Sequence, residues 1–347
     1  MINIKLMEIE QPIGTFYFGK IKMSQLKLIA FTRKRKDNIG IQRQIKDKKV
    51  SDISYYCKDP DAIFPTPIIL NINTDKEIQK LDEGLYSIIL DENDEKDRAE
   101  IIDGQHRFDG INDADLNDIF LPIVVMFNLN ESEKAYIFST INNNQTKVDK
   151  SLIYDLFGLA ETRSPYKTCH EIARMLNTMP ESPFCGKIKM LEKRQSKEES
   201  LSQGTFVSQL LKLISQNANN DTVDSKNNVE IKDNNNFVLR KYYKNNQDSV
   251  IAKILMNYFS AAKEVFIKEW NDDNYILTKT TGYSGLIKAL KILIPKGESE
   301  GDLSKQYFLN IFNKLRITLS EKQEELNSEY FPSGAVGETK LYNYLTN

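Results

Sequence analysis

The sequence predicts an α+β chain: a mixed domain over residues 1–150, then a mainly helical domain over residues 151–347 with a polar insertion near 217–236. Three observations point to it. Before residue 150, short apolar runs of strand length alternate with short helical periodicities. Beyond Lys150, long 3.6-residue periodicities take over and strand runs become few. At 347 residues, the chain is long enough for two cores of ordinary size.

Thr15 to Met23 reads as a strand, with Phe16, Phe18 and Ile21 set among Tyr17, Lys20 and Lys22. Gln25 to Phe31 reads as a short helix, and Lys48 to Lys58 as another, with Val50, Ile53, Tyr56 and Cys57 on one face. Pro60, Pro65 and Pro67 end it and lead into the strand Pro67 to Ile72. Tyr86 to Leu90 and Ala99 to Ile102 are two further strands, and the charged stretch Asp91 to Arg98 between them is read as a hairpin loop. A helix from His106 to Ala114 follows, with Phe108 and Ile111 inward, and then the apolar strand Pro122 to Phe127. Asn130 and Glu133 supply a capping box for a helix through Ile141. In the second half, Ser151 to Leu159, Tyr166 to Leu176, Ser202 to Ser215, Ser249 to Trp270 and Leu303 to Asn327 read as helices. The Asn- and Asp-rich stretch from Asn217 to Asn236 reads as an exposed or disordered insertion.

An apolar fraction of 40% and a charged fraction of 28% place the chain among soluble globular proteins. The longest apolar runs fall short of the roughly 18 residues a membrane span needs, and the N-terminus lacks a signal-peptide layout. Three widely spaced cysteines (Cys57, Cys169, Cys185) point to reduced thiols in a cytoplasm, with neither a disulfide frame nor a zinc site.

Charge is unevenly spread. Residues 1–58 hold thirteen Lys and Arg against five acids, and residues 71–118 hold fifteen acids against five bases. Such an arrangement forms either a nucleic-acid face or two solvated faces that pair with each other. Arg33, Lys34, Arg35 and Lys36, with Lys46, Lys48 and Lys49, are the candidate DNA-backbone contacts. The second half adds Lys187, Lys189, Lys193, Arg194, Arg240, Lys241 and Lys244 beside Tyr242 and Tyr243. Basic residues beside aromatics suit backbone tracking and base stacking, and the tyrosines equally suit a core. Cys169 and His170 are adjacent on a helix, cannot share a metal there, and read as structural.

The chemically densest segment is Ile101-Ile102-Asp103-Gly104-Gln105-His106-Arg107, which holds one of only two histidines in the chain. An apolar strand ending in Asp-Gly and turning into a helix aims several backbone N–H groups at one point. With the planar fork of Arg107 they would cradle a phosphate. Gly104 would let the backbone approach it without a Cβ in the way, and His106 would donate an N–H. Asp103 would either hold Mg²⁺ through water or cap the helix. The plainer reading is a common Asp-Gly turn followed by a solvated arginine. Asn142, Gln145 and Lys147 form a second polar group, read either as a helix C-cap or as contacts to a base, a ribose or a nucleic-acid backbone. Arg43 is either a phosphate ligand or a partner for the acidic stretch.

Asp103 to Arg107 spell the pentad that names the DGQHR-domain family, which includes the DndB proteins of bacterial DNA phosphorothioation systems. The resemblance extends to Ile41-Gln42-Arg43, to Asp59 through Leu70, and to Phe138, Ile141-Asn142, Gln145 and Ser151-Leu152. Ser182-Pro183-Phe184, Ile188-Lys189, Thr205-Phe206-Val207, Asn257-Tyr258-Phe259, Trp270, Gly282 and Ser333 to Leu341 also match, so it covers nearly the whole chain.

More distantly the turn is similar to that of the ParB/sulfiredoxin superfamily, which implies a ParB/sulfiredoxin-like N-terminal domain. Sulfiredoxins carry a Gly-Cys-His-Arg version and ParB proteins a Gly-Glu-Arg-Arg version, and in both the turn holds nucleotide phosphates. That implies nucleotide contacts for Gly104, His106 and Arg107, with ATP or another nucleoside triphosphate and Mg²⁺ as the ligand; on the functional reading of the other polar residues, Arg43, Asn142 and Gln145 would join them. Gln105 stands where sulfiredoxin has its reactive cysteine, so that thiol chemistry is ruled out. Hydrolysis stays open: Gln105 would orient a water and Asp103 the metal in an attack on the γ-phosphate.

The resemblance thus implies a nucleotide-binding, DNA-associated component of a DNA-modification and phage-defence system, with ATP hydrolysis left open. DNA, other DNA-modification proteins and further copies of the chain would be its partners. The alternatives are a non-catalytic DNA-binding regulator of the modification genes and a ParB-like DNA nickase. The lack of a His-Asp-Glu cluster beside the pentad argues against the nickase.

Overall fold

The structure, a computed structural model, describes residues 1–12, 14–32, 47–94, 98–143, 150–151, 153–154, 162–190 and 196–346. Backbone packing divides the chain into two compact units, Met1–Thr146 and Lys147–Asn347.

The first unit is built on an eight-stranded mixed sheet, in the order β3-β7-β4-β8-β2-β1-β6-β5. Its strands are β1 (Ile2–Gln11), β2 (Gly14–Lys22), β3 (Ala30–Phe31), β4 (Ile68–Ile72), β5 (Gln79–Asp82), β6 (Leu85–Leu90), β7 (Ala99–Asp103) and β8 (Phe120–Phe127). Period-2 alternation turns Ile2, Ile4, Leu6, Ile21, Leu121, Ile123 and Val125 onto one buried face. That face is closed by α1 (Met23–Ile29), through Met23, Leu26 and Ile29, and by α3 (Gln105–Asp113), through Ile111. Between them in sequence lies α2 (Asp47–Tyr56), and α4 (Glu131–Asn143) follows β8.

Two features depart from the sequence expectations. β1 pairs antiparallel with both β2 and β6, although the sequence reading begins the sheet at Thr15. β6 and β7, expected to flank a hairpin loop at Asp91 to Arg98, do not pair with each other: β6 pairs with β1 and β5, and β7 with β3 and β4. β6 and β7 thus lie near opposite edges of the sheet.

Other expectations hold. Asn130 and Glu133 cap α4 reciprocally, the Glu133 N–H donating to Asn130 Oδ1 at 3.0 Å and the Asn130 N–H to Glu133 Oε2 at 2.8 Å. α3 packs closely on α2 at Gly110, where a Cβ would lie 2.6 Å from Ile53 Cβ and 3.0 Å from the Val50 carbonyl oxygen. Gly110→Ala is therefore expected to cost about 1–3 kcal/mol by overpacking, read from denaturant unfolding.

The second unit is helical: α5 (Pro165–Thr178), α6 (Gln203–Ile214), α7 (Ala218–Lys226), α8 (Arg240–Lys244), α9 (Asp248–Val265), α10 (Ile267–Asn271), α11 (Thr280–Glu300), α12 (Lys305–Glu321) and α13 (Ala335–Thr346). A two-stranded parallel pair, β9 (Ile188–Lys189) and β10 (Leu201–Ser202), accompanies them. The helix expected over 151–159 falls mostly outside the described residues. The polar stretch 217–236, read as an exposed or disordered insertion, instead begins with α7, which buries Ala218, Asp221 and Val223 and is capped by the Asn217 side chain.

Phe184, Phe206, Phe259, Trp270 and Tyr283 form one aromatic cluster, in which ring centroids lie as close as 4.8 Å. Trp270 donates to the Pro183 carbonyl at 2.8 Å and Tyr258 to that of Leu286 at 3.0 Å, so the polar ends of these rings are satisfied in the core. Gly282 has no room for a side chain, since a Cβ there would sit 2.1 Å from the Ile276 carbonyl oxygen. Many of the DGQHR-family positions in this half are thus packing positions.

Candidate functional site: the turn from β7 into α3

β7 carries Ala99, Glu100, Ile101 and Ile102 into the protein and ends at Asp103. Just before its end the ladder with β4 slips: Leu70 faces Ile101, but Ile69 faces Asp103. This bulge shifts the strand end by one residue and re-aims Asp103. Gly104 then takes the left-handed conformation (φ 98°, ψ 10°), which only glycine adopts without strain. A Cβ there would stand 3.1 Å from Ile68 Cγ1 and 3.2 Å from Arg107 Nη2. The first helical bond of α3 runs from the Phe108 N–H to the Gly104 carbonyl at 3.0 Å, so the N–H groups of 105–107 lead the helix, at the positive end of its dipole.

Asp103 does not cap α3. The cap position belongs to Gly104. Asp103 instead lies 3.4 Å from Arg107 Nη2. Arg107 also donates through Nη2 to the Pro67 carbonyl at 3.1 Å and through Nη1 to Thr66 Oγ1 at 2.6 Å and to the Thr66 carbonyl. The guanidinium is therefore clasped by the Pro-Thr-Pro segment ahead of β4. Burial pulls its pKa down and Asp103 pushes it back up, and it stays charged at any working pH. Gln105 is 7% exposed, and His106 is half-buried.

Behind this turn sits a buried ion pair. Lys134 on α4, 2% exposed, donates to Glu100 on β7 at 2.7 Å and to Glu131 at 3.0 Å. The pair anchors α4 to the strand that delivers Asp103. Neither it nor the Thr66–Pro67 clasp is anticipated from the sequence. The Pro65-Thr66-Pro67 run was the available signal for the clasp, since it exposes carbonyls that a helix or sheet would otherwise use.

The structure brings Asp103, Gly104, Gln105, His106 and Arg107 together, with α2 packed alongside through Gly110. Lys48 and Lys49 are exposed on the first turn of α2. Arg33, Lys34, Arg35, Lys36, Arg43, Lys46 and Gln145 lie outside the described residues; Asn142 falls in the last turn of α4, where only the backbone is described.

In the second unit, the tyrosines beside the basic residues belong to packing. Tyr243 is fully buried, and Tyr242 donates to Glu298 at 2.6 Å, which with burial raises its pKa. Arg240 forms a buried two-pronged pair with Asp221 (2.7 and 2.8 Å), while Lys241 pairs with Glu298 and Lys244 with Glu230 and Asp233. That cluster is not a free basic track. Cys169 and His170 are both buried, and His170 Nδ1 lies 3.1 Å from Gln203 Nε2.

Among the described residues no helix is long and apolar enough to cross a membrane, and Cys57, Cys169 and Cys185 are free thiols. The C-terminally truncated chromosome-partitioning protein ParB from Caulobacter crescentus, solved with CTP-γ-S, is similar over 57% of this chain and 80% of that one, at 12% identity and a TM-score of 0.28. No curated protein sequence matches the chain. The DndB family pattern, described as DNA-sulfur modification-associated, matches residues 6–299, and the chain belongs to that family.

Proposed function

We propose that the chain is a nucleotide-binding, DNA-associated component of a DNA-modification system, and that the turn from Asp103 to Arg107 holds the phosphates. Family membership ties it to DNA modification. The observation that carries the nucleotide reading is the left-handed Gly104, wedged between a buried strand and the head of α3 where a Cβ would crowd Ile68 and Arg107. Backbone N–H groups at a helix head, a histidine and a guanidinium in one turn suit a triphosphate. Asp103 in the same turn would repel that anion, so binding requires a cation between them, and Mg²⁺ bridging a carboxylate and phosphate oxygens fits. This reading commits to binding rather than turnover: Gln105 is buried and Asp103 faces Arg107, which suits a structural grip better than an activated water.

A second reading rests on the clasp around Arg107. With both terminal nitrogens already donating to Thr66, Pro67 and Asp103, the turn also suits a fixed structural corner in a nucleotide-independent DNA-binding regulator. Lys48 and Lys49 on the neighbouring α2 would then be contacts to the DNA backbone.

Calorimetric titration with ATP, CTP and GTP, with and without Mg²⁺, separates the two. The proposal expects Mg²⁺-dependent binding by the wild type, weakened at least tenfold in folded His106→Ala and Arg107→Ala variants. DNA binding without any nucleotide binding would favour the regulator.

A further inference from the structure

The sheet of the first unit has a second face, opposite the one closed by α1 and α3. It is formed by the odd positions of β1 and the even positions of β2 and β8, since Met7 pairs with Phe18 and Phe18 with Val124. α4 lies over one end of it, where Phe16, Ile69, Val124 and Met126 line a groove of about 690 Å³ with Tyr136 and Ile137. Among the described residues of the first unit, no helix lies over the other end. Phe120 there is 51% exposed, and Met7 and Phe18 are exposed as well.

The charges at this open end are one-sided. Lys5, Lys20 and Lys22 stand there on β1 and β2, while Glu100 and Asp103, carboxylates of the same face, lie across the sheet on β7. Lys22 pairs across the sheet with Phe120, and Lys20 with Pro122. Lys5 precedes Leu6 and Lys20 follows Gly19, its cross-strand partner, so Lys5 sits beside Lys20. The Lys20 and Lys22 ammonium groups lie 5.0 and 5.6 Å from the centre of the Phe120 ring. Lys22 also meets Asp118 at 3.3 Å, but that carboxylate is almost fully solvated and such a pair is readily exchanged.

An exposed aromatic ring between two ammonium groups, with a third beside them and apolar side chains beyond, is complementary to a polyanion that also offers flat apolar faces. Unpaired bases stack on a ring, and the phosphates between them meet the lysines. A duplex keeps its bases stacked internally and would leave Phe120, Phe18 and Met7 uncovered. A protein partner would need acidic groups placed against three lysines, which a single nucleic-acid strand supplies without special design.

We propose that this open end of the sheet binds single-stranded DNA, with Phe120 stacking on a base and Lys5, Lys20 and Lys22 contacting consecutive phosphates. The proposal rests on the DNA association put forward above and is independent of the nucleotide turn.

Fluorescence anisotropy with a labelled single-stranded oligonucleotide and its duplex tests it, using the full chain and variants whose circular dichroism matches the wild type. Phe120→Ala is expected to weaken single-strand binding roughly 5- to 150-fold, and Phe120→Trp to restore it. The Lys5→Ser/Lys20→Ser/Lys22→Ser variant should flatten the salt dependence, lowering the slope of log K against log salt by about 2. Wild-type DNA binding unchanged in these variants would overturn the sheet-face assignment and leave DNA association standing. No DNA binding by the wild type would overturn both. Binding to duplex alone, lysine-dependent and indifferent to Phe120, would overturn the single-strand assignment. A wild-type dimer dissociated by Phe120→Ala, with DNA binding unaltered, would assign the face to a second copy of the chain instead.

Discussion

Replacing Lys134 by alanine is expected to lower the unfolding free energy of the first unit by about 3–5 kcal/mol, because it strands Glu100 in a buried site without its cation. Lys134 is 2% exposed, and its only described acceptors are Glu100 and Glu131. Glu100→Gln should cost less than Lys134→Ala, since a neutral amide still accepts a hydrogen bond. A Lys134→Met/Glu100→Leu double variant should recover most of the loss, since a buried ion pair is often replaced by apolar side chains at little cost. Urea unfolding of all four proteins checks the ranking.

The pH dependence has a definite sign. Burial pulls the Lys134 ammonium down, but its hydrogen bonds to Glu100 and Glu131 and their charges outweigh this, so its folded pKa is raised. A raised base contributes stability that is fully present below its unfolded value. The contribution is lost as pH rises through the folded value, that is, only in strongly alkaline solution. Stability attributable to this pair should therefore be flat across neutral pH. A loss of it between pH 6 and 8 would contradict the assignment.

Arg240→Ala should have a comparable effect on the second unit, about 3–5 kcal/mol, by leaving Asp221 buried and uncompensated. Arg240 satisfies both Asp221 oxygens and also donates to the carbonyls of Lys232 and Ile214 at 2.7 and 3.1 Å. It thereby ties α7 and the polar stretch after it to α8. Arg240→Lys should rescue little, because an ammonium cannot reproduce the fork. Hydrogen exchange should show the loss first in residues 217–236. If those amides keep wild-type protection in Arg240→Ala, the tie lies elsewhere.

The same pair shows where the sequence could be read and where it could not. Asn217 to Asn236 has the composition of an exposed insertion, and nothing local in it announces that Asp221 is buried; its partner lies 19 residues on. Lys134 was hidden for the same reason: on a capped helix a lysine is normally solvated. Local patterns were legible. The capping box at Asn130, the strands at Pro67 and Pro122 and the pentad's position between strand and helix all follow from spacing and turn chemistry.

Pairing across distance was not legible. Two successive strands separated by a short charged stretch look like a hairpin, yet β6 and β7 choose partners elsewhere in the sheet, a choice made by packing of the whole face. β1, by contrast, carries an open strand signal, Ile2, Ile4 and Leu6 alternating with Asn3, Lys5 and Met7, although the sequence reading begins the sheet at Thr15. α11 was obscured by Pro295 and by Gly282, Gly285 and Gly297, which weaken any helical reading. Gly282 is there because the backbone of Ile276 leaves no space for a Cβ. In the candidate site, the turn itself was readable, but the clasp on Arg107 comes from Thr66 and Pro67, some 40 residues earlier.

The central proposal is that the turn holds phosphate through the leading N–H groups of α3. Hydrogen exchange at the amides of Gln105, His106 and Arg107, with and without a nucleoside triphosphate and Mg²⁺, reads those groups directly. The expected result is added protection at these three amides, absent in a folded Gly104→Ala variant, whose left-handed residue and extra Cβ disturb the cradle. Nucleotide bound with no change at these amides, or no nucleotide bound at all, would contradict the proposal and leave the turn as a structural corner.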